Sequence, residues 1–293
     1  MLANSMTTFF PAKLLLFGEY TVLLDSQALA IPFPKYKGRW SFGKELDERL
    51  VVFADYIKQT DEIHQVIDYQ LFKKEIKEHL LFESNIPLGY GLGSSGALCA
   101  ATLAHYGKVE ESNIARLKSI FAKLESHFHG TSSGVDPLIA YLQEPLFRDA
   151  HGWQMMSNFR LPETKDLQFF LLDTQHARQA DTFIQWFTKQ CETTTYRQQI
   201  EAKVLPIIEA LIATINAHSS SNILSLWHEL SWLQWQFFQP MIPDFLHSVY
   251  LDGLASDWYK LKLCGAGGGG FFLGVTSDVE RLKSTVDFPI IMI

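Results

Sequence analysis

Residues 87–97, Pro-Leu-Gly-Tyr-Gly-Leu-Gly-Ser-Ser-Gly-Ala, set Gly91, Gly93, Ser94 and Ser95 between an apolar run and an alanine-rich helix. Glycine lets a backbone turn tightly and approach a ligand with no Cβ in the way. The helix that follows points unpaired N–H groups and the positive end of its dipole at whatever occupies the loop. A di- or triphosphate suits such a place. The loop lacks the Gly-Lys-Ser/Thr of a P-loop, and Gly89-x-Gly91-x-Gly93 has the wrong third spacing for a dinucleotide fingerprint. An ordinary tight turn with Ser94 or Ser95 as helix cap fits the same residues.

The rest of the chain can support a large enzyme. It has 293 residues, 47% hydrophobic and 19% charged, enough for one large domain or two medium ones and far from a disordered composition. A net charge of -7 argues against a nucleic-acid partner, which calls for basic clusters. The three cysteines are widely spaced and odd in number, with no CxxC pair, as expected in a reducing compartment. Met1–Phe10 does not read as a signal peptide, and no run approaches a membrane span. A cytoplasmic setting is expected.

The pattern predicts a β-rich opening, with strands near 12–18, 39–42 and 50–55. Helices are expected over 60–82, 96–106, 111–128 and 136–143, the third capped by Ser112 or Asn113 and the last by Asp136 with Pro137 as its first residue. A break spans 144–165. Beyond it come a strand at 167–172, helices at 178–190, 195–217, 221–238 and 245–256, strands at 259–263 and 271–275, a helix at 277–285 and a last strand at 289–293. Neither strict βαβ alternation nor repeats occur. The fold class is α+β, in an N-terminal part, 1–155, and a C-terminal part, 156–293.

Three further features carry chemistry. Gly265-Ala-Gly-Gly-Gly-Gly270 lies between apolar strands, where glycine costs stability unless backbone must come close to something, so a second loop against the phosphates or the catalytic centre is expected. Glu125 and Asp136 flank a glycine-serine loop and can face one space, as phosphoryl transfer asks of its Mg²⁺ ligands and acceptor-side carboxylate. Between these carboxylates, His127 and His129 lack a matching Cys or His cluster and read as loop and packing residues. Lys13 sits in an apolar strand and needs a partner, either a phosphate or a carboxylate such as Asp136.

In this order the segments resemble the GHMP kinase superfamily. Pro11 to Tyr20 is similar to its first motif, Pro87 to Ala97 to its phosphate loop, and Lys262 to Phe271 to its third motif. The closest likeness is to mevalonate kinases of the compact bacterial type, through Lys13…Gly18-Glu19 and His129-Gly-x-Ser-Ser-Gly-Val-Asp136. The resemblance implies ATP and Mg²⁺ as cofactors, mevalonate or a related alcohol such as phosphomevalonate or a sugar as acceptor, and a homodimer. It implies Asp136 as base and Lys13 as its catalytic neighbour. Gly89, Gly91, Leu92, Gly93, Ser94, Ser95 and Gly96 would hold the nucleotide, with Ser95 and Glu125 as metal ligands. Glu19, Tyr20, Gly267 and Gly268 would lie toward the substrate. Tyr20 departs from the histidine of animal members. The implied fold joins a domain like the second domain of ribosomal protein S5 to a ferredoxin-like C-terminal domain, with the active site between them.

Overall fold

The computed structural model describes residues 6–108, 111–162, 167–178 and 180–293. Met1–Ser5 of the stretch read for a leader lie outside the described residues.

Strands β1 (Phe10–Phe17) and β2 (Ala28–Phe42) pair antiparallel. Helices α1 (Glu48–Gln59), α2 (Asp61–Val66) and α3 (Tyr69–Lys77) follow, and β3 (Leu80–Ser84) returns to pair with β2. The glycine-serine loop leads into α4 (Ser94–Tyr106), then α5 (Ile114–His129) and α6 (Val135–Leu142). The hairpin β4 (Leu146–Asp149) and β5 (Gly152–Met155) completes a five-stranded sheet. The second sheet starts at β6 (Gln168–Asp173). After α7 (Ala180–Cys191), α8 (Thr194–Gln199), a π turn, α9 (Leu205–Asn216), α10 (Ile223–Phe237) and α11 (His247–Ala255) come β7 (Tyr259–Leu263), β8 (Phe271–Thr276), α12 (Val279–Thr285) and β9 (Ile290–Met292). Its spatial order, β7-β8-β6-β9 and all antiparallel, is the ferredoxin-like arrangement of two interleaved β-α-β units. The α+β class is as the sequence implied.

Several elements differ from expectation. The strand expected at 50–55 is part of α1, because Leu50, Phe53, Ala54 and Ile57 are buried at helical spacing and the Asp47 carboxylate accepts from Arg49 N–H at the helix start. The single helix expected over 60–82 is cut twice, and its last residues belong to β3, where Leu80 opposes Phe42. The break expected at 144–165, of which 163–165 lie outside the described residues, holds the β4–β5 hairpin, turned through Gly152 at φ 107°.

One hydrophobic core joins both sheets. Trp227 of α10, fully buried, meets Phe17 of β1 edge-on at 5.6 Å and Phe169 of β6 at 5.7 Å. Among the described residues no helix is long and apolar enough to cross a membrane.

Candidate active site

The small residues of α4 let it run through the centre of the N-terminal half. Gly96, Ala97, Cys99, Ala100 and Ala101 are buried, and the helix packs on β1, β2, α5 and α6. Gly93, at φ 75°, is its N-cap, and no serine side chain caps it. The cap alternative for Ser94 and Ser95 therefore does not hold. The same is true of α6, whose N-cap is Gly134 at φ 73°. Asp136, expected as the cap, instead lies in the first turn, so its carboxylate is not engaged by the helix end.

That carboxylate meets Lys13. Nζ and Oδ1 are 3.1 Å apart, the lysine side chain 11% and the aspartate 28% exposed. β1 is pinned to the phosphate-type loop by a hydrogen bond from Lys13 N–H to the carbonyl of buried Leu92 at 2.9 Å. A Cβ on Gly93 would sit 3.2 Å from Asp136 Cβ and 3.4 Å from Lys13 Cγ; one on Gly96 would sit 2.8 Å from Pro137 N. These two glycines bring the start of α4 against the start of α6, with the lysine between. Gly89 and Gly91, at φ 76° and 71°, form the outer part of the loop.

Glu125, near the end of α5, is 5% exposed. It accepts hydrogen bonds from Ser95 Oγ at 3.0 Å and from Ser132 Oγ. Burial, and then the neighbouring Asp136 carboxylate, push its carboxyl up to about 7, against the two serine hydrogen bonds and the charge of Lys13. Ser95 Oγ also lies 2.9 Å from His129 Nε2. His129, the last residue of α5, thus lies at the site's rim, whereas His127 packs on Phe53 and Tyr56. Among the described residues no group of three or more His, Cys, Asp or Glu side chains forms a metal cluster on its own. Ser95 and Glu125 do offer hard oxygen donors, and magnesium usually takes one or two carboxylates and completes its shell with water and phosphate oxygens.

Arg178 also reaches the loop. Its backbone N–H donates to Gly89 O at 3.0 Å. Its guanidinium lies over Gly91, where a Cβ would be 2.1 Å from Nη1, and beside Gly265, where a Cβ would be 3.2 Å away. A lone arginine after a strand gives no local signal; only the fold carries it to the loop.

The glycine run lies between β7 and β8. Its close approaches are mostly to the chain itself. A Cβ on Gly267 would be 2.4 Å from Met241 O, and Gly268 N–H donates to that carbonyl at 2.6 Å. Gly269 abuts Ala177 O and His176 O, and Gly270 abuts Tyr90. The run therefore buttresses the 87–95 loop through Tyr90 and residues 176–178. Glu19 and Tyr20 are buried, 5% and 6% exposed, with Glu19 paired to Lys262.

Residues 56–144, which hold the loop, Glu125 and Asp136, match the family model described as GHMP kinases N terminal domain. This stretch of the chain is similar to the N-terminal domain of the GHMP kinases. Mevalonate kinase of Thermococcus onnurineus is 25% identical to it over 181 residues, 52% of this chain and 54% of that enzyme. The chain spans about half the length of the Thermococcus relatives it matches. Two solved structures share the GHMP kinase fold across the whole chain. L. major mevalonate kinase in complex with R-mevalonate has a TM-score of 0.68 at 13% identity, covering 100% of this chain and 97% of that one. Streptococcus pneumoniae phosphomevalonate kinase in complex with phosphomevalonate and AMPPNP has a TM-score of 0.68 at 14% identity, covering 98% and 99%.

Proposed function

We propose that this protein transfers the γ-phosphoryl group of ATP to the primary hydroxyl of mevalonate. The observation that carries the reading is the Lys13–Asp136 pair held against the start of α4 by Gly93 and Gly96. It sets a carboxylate and a cation at the mouth of a helix N-terminus that favours phosphate.

The glycine loop and the first amides of α4 hold the nucleotide phosphates. Asp136 accepts the proton of the acceptor hydroxyl as its oxygen bonds to phosphorus, and Lys13 steadies the charge that develops there. Ser95 and Glu125 are the residues that would hold Mg²⁺, which when bound neutralises phosphate charge. Arg178 adds a fixed positive charge over Gly91 for an anionic group of either substrate. Positioning and electrostatics supply most of the rate in such transfers.

Mevalonate is favoured as acceptor by the curated relatives, which are named mevalonate kinases. Phosphomevalonate is the second reading, favoured by the fold shared with the pneumococcal enzyme. The test is ADP release by the full chain with ATP and Mg²⁺ over a panel of mevalonate, phosphomevalonate and sugars. Mevalonate is expected to give the highest kcat/KM. Preference for phosphomevalonate would overturn the acceptor, and no ADP release with any alcohol would overturn the kinase reading.

A further inference from the structure

Glu19 is a carboxylate that the transfer chemistry leaves unused. It follows Gly18, which turns at φ 104° at a point where a Cβ would strike Ala28 Cβ at 2.5 Å. The Glu19 side chain is 2% exposed and faces Lys262 of β7, whose side chain is 0% exposed; Nζ and Oε1 are 2.5 Å apart. Lys262 Nζ also donates to Leu263 O and stands 5.5 Å from the centre of the Phe17 ring.

The next residue makes a second bond across the same junction. Tyr20 holds φ 62° and ψ -44°, a strained conformation for a bulky side chain. Its hydroxyl donates to Ala266 O, and its ring packs on Phe187 and Phe238 at 5.3 and 5.7 Å. Two consecutive side chains of the N-terminal half thus grip residues 262–266, directly ahead of glycines whose later members support Tyr90 and residues 176–178.

A buried ion pair is a poor source of stability. Both charges lose their water, and an apolar pair of similar volume is often as stable or more so. What such a pair supplies is a fixed register, because an unpaired buried charge penalises every other alignment. We propose that Glu19 and Lys262 form a latch between the two sheets that positions the 265–270 run, and through it Arg178, against the phosphate loop. Glu19 is then a positioning residue and not a ligand of the acceptor. The latch's part in transfer rests on the kinase reading; its geometry does not.

Hydrogen exchange followed by mass spectrometry tests the latch without ATP or acceptor. In the unmodified protein, amides 19–20 and 265–270 are expected to open together with matching protection. Protection differing by more than about tenfold between the two segments overturns the latch. Glu19→Gln and Lys262→Met, though far apart in sequence, are expected to share one signature. Exchange over 265–270 and 176–178 quickens by about tenfold or more, and kcat falls more than acceptor KM rises. The double variant E19M/K262M recovers thermal stability but not the slow exchange. Glu19→Gln raising acceptor KM with unchanged exchange over 265–270 overturns the assignment and makes Glu19 a substrate contact. If a single variant does not fold, the comparison of protection in the unmodified protein decides alone. If the unmodified chain releases no ADP with any acceptor, the kinase reading fails while the exchange data still decide the latch.

Discussion

Asp136 escapes the role its place in the sequence invites. An aspartate before a proline at a helix start reads as a cap, yet Gly134 takes that position and leaves the carboxylate for Lys13. Asp136→Asn keeps the shape and removes the proton acceptor, so turnover is expected to drop by about 10²-fold or more while the fold persists. Near-normal kcat in that variant would remove Asp136 from the mechanism. Glu125 gives a prediction of a different kind. Its carboxyl is raised from 4.5 to about 7, so the folded chain binds the proton more tightly than the unfolded one. The stability this contributes is complete below about pH 4.5 and is lost as pH rises through about 7, a swing of roughly 3 kcal/mol. Glu125→Gln abolishes the swing. In metal-free buffer the Tm of the variant relative to the parent is expected to rise by several degrees between pH 5 and pH 8. A difference independent of pH would show that the carboxylate is not strained by burial beside Asp136.

At the scale of elements, the site depends on how closely two helix starts approach. Gly96→Ala places a methyl group 2.8 Å from Pro137 N and 3.0 Å from Asp136 Cβ, against backbone that cannot swing away. The substitution favours α4 by propensity but pushes α6 off, so a net loss of about 1–3 kcal/mol is expected, with a larger fall in kcat than in nucleotide affinity. Denaturant unfolding and steady-state kinetics check both; a stabilised, fully active variant would show that the helices do not need this contact. The same elements show what the sequence made legible. The loop at 87–95, α4 and the Glu125–Asp136 spacing were readable because their signals are local: glycines at a turn, an alanine-rich helix, carboxylates on either side of a short loop. Strand β3 was not, since Leu80, Leu81 and Phe82 continue a helical pattern and become a strand only because β2 offers a pairing edge from Gly38 to Phe42. The β4–β5 hairpin had a signal that went unused, the Asp149-Ala-His-Gly152 turn. The glycine run was rightly read as a close approach, but the sequence could not say that the neighbour is Met241 and His176–Ala177, which lie far off in the chain.

At the scale of the molecule, the two sheets share one core and should not unfold separately. Phe17 from the first sheet, Phe169 from the second and Trp227 from α10 meet in a single contact group, and the Glu19–Lys262 pair crosses the same boundary. Interfaces between independent domains are more polar than this and leave each side with its own core. A single transition is therefore expected, with tryptophan fluorescence and far-UV circular dichroism coinciding across a denaturant titration. Trp227 is the place to probe it. Its ring is fully buried, but Nε1 has no hydrogen-bond partner among the described residues, so the indole contributes mainly packing. Trp227→Ala is expected to cost about 3–5 kcal/mol and to lower the midpoint for both probes together. Trp227→Phe removes the unpartnered N–H along with part of the ring and is expected to cost much less. Separation of the two probes in the alanine variant, with one sheet melting ahead of the other, would show that the lobes are held by local contacts alone and that the shared core does not couple them.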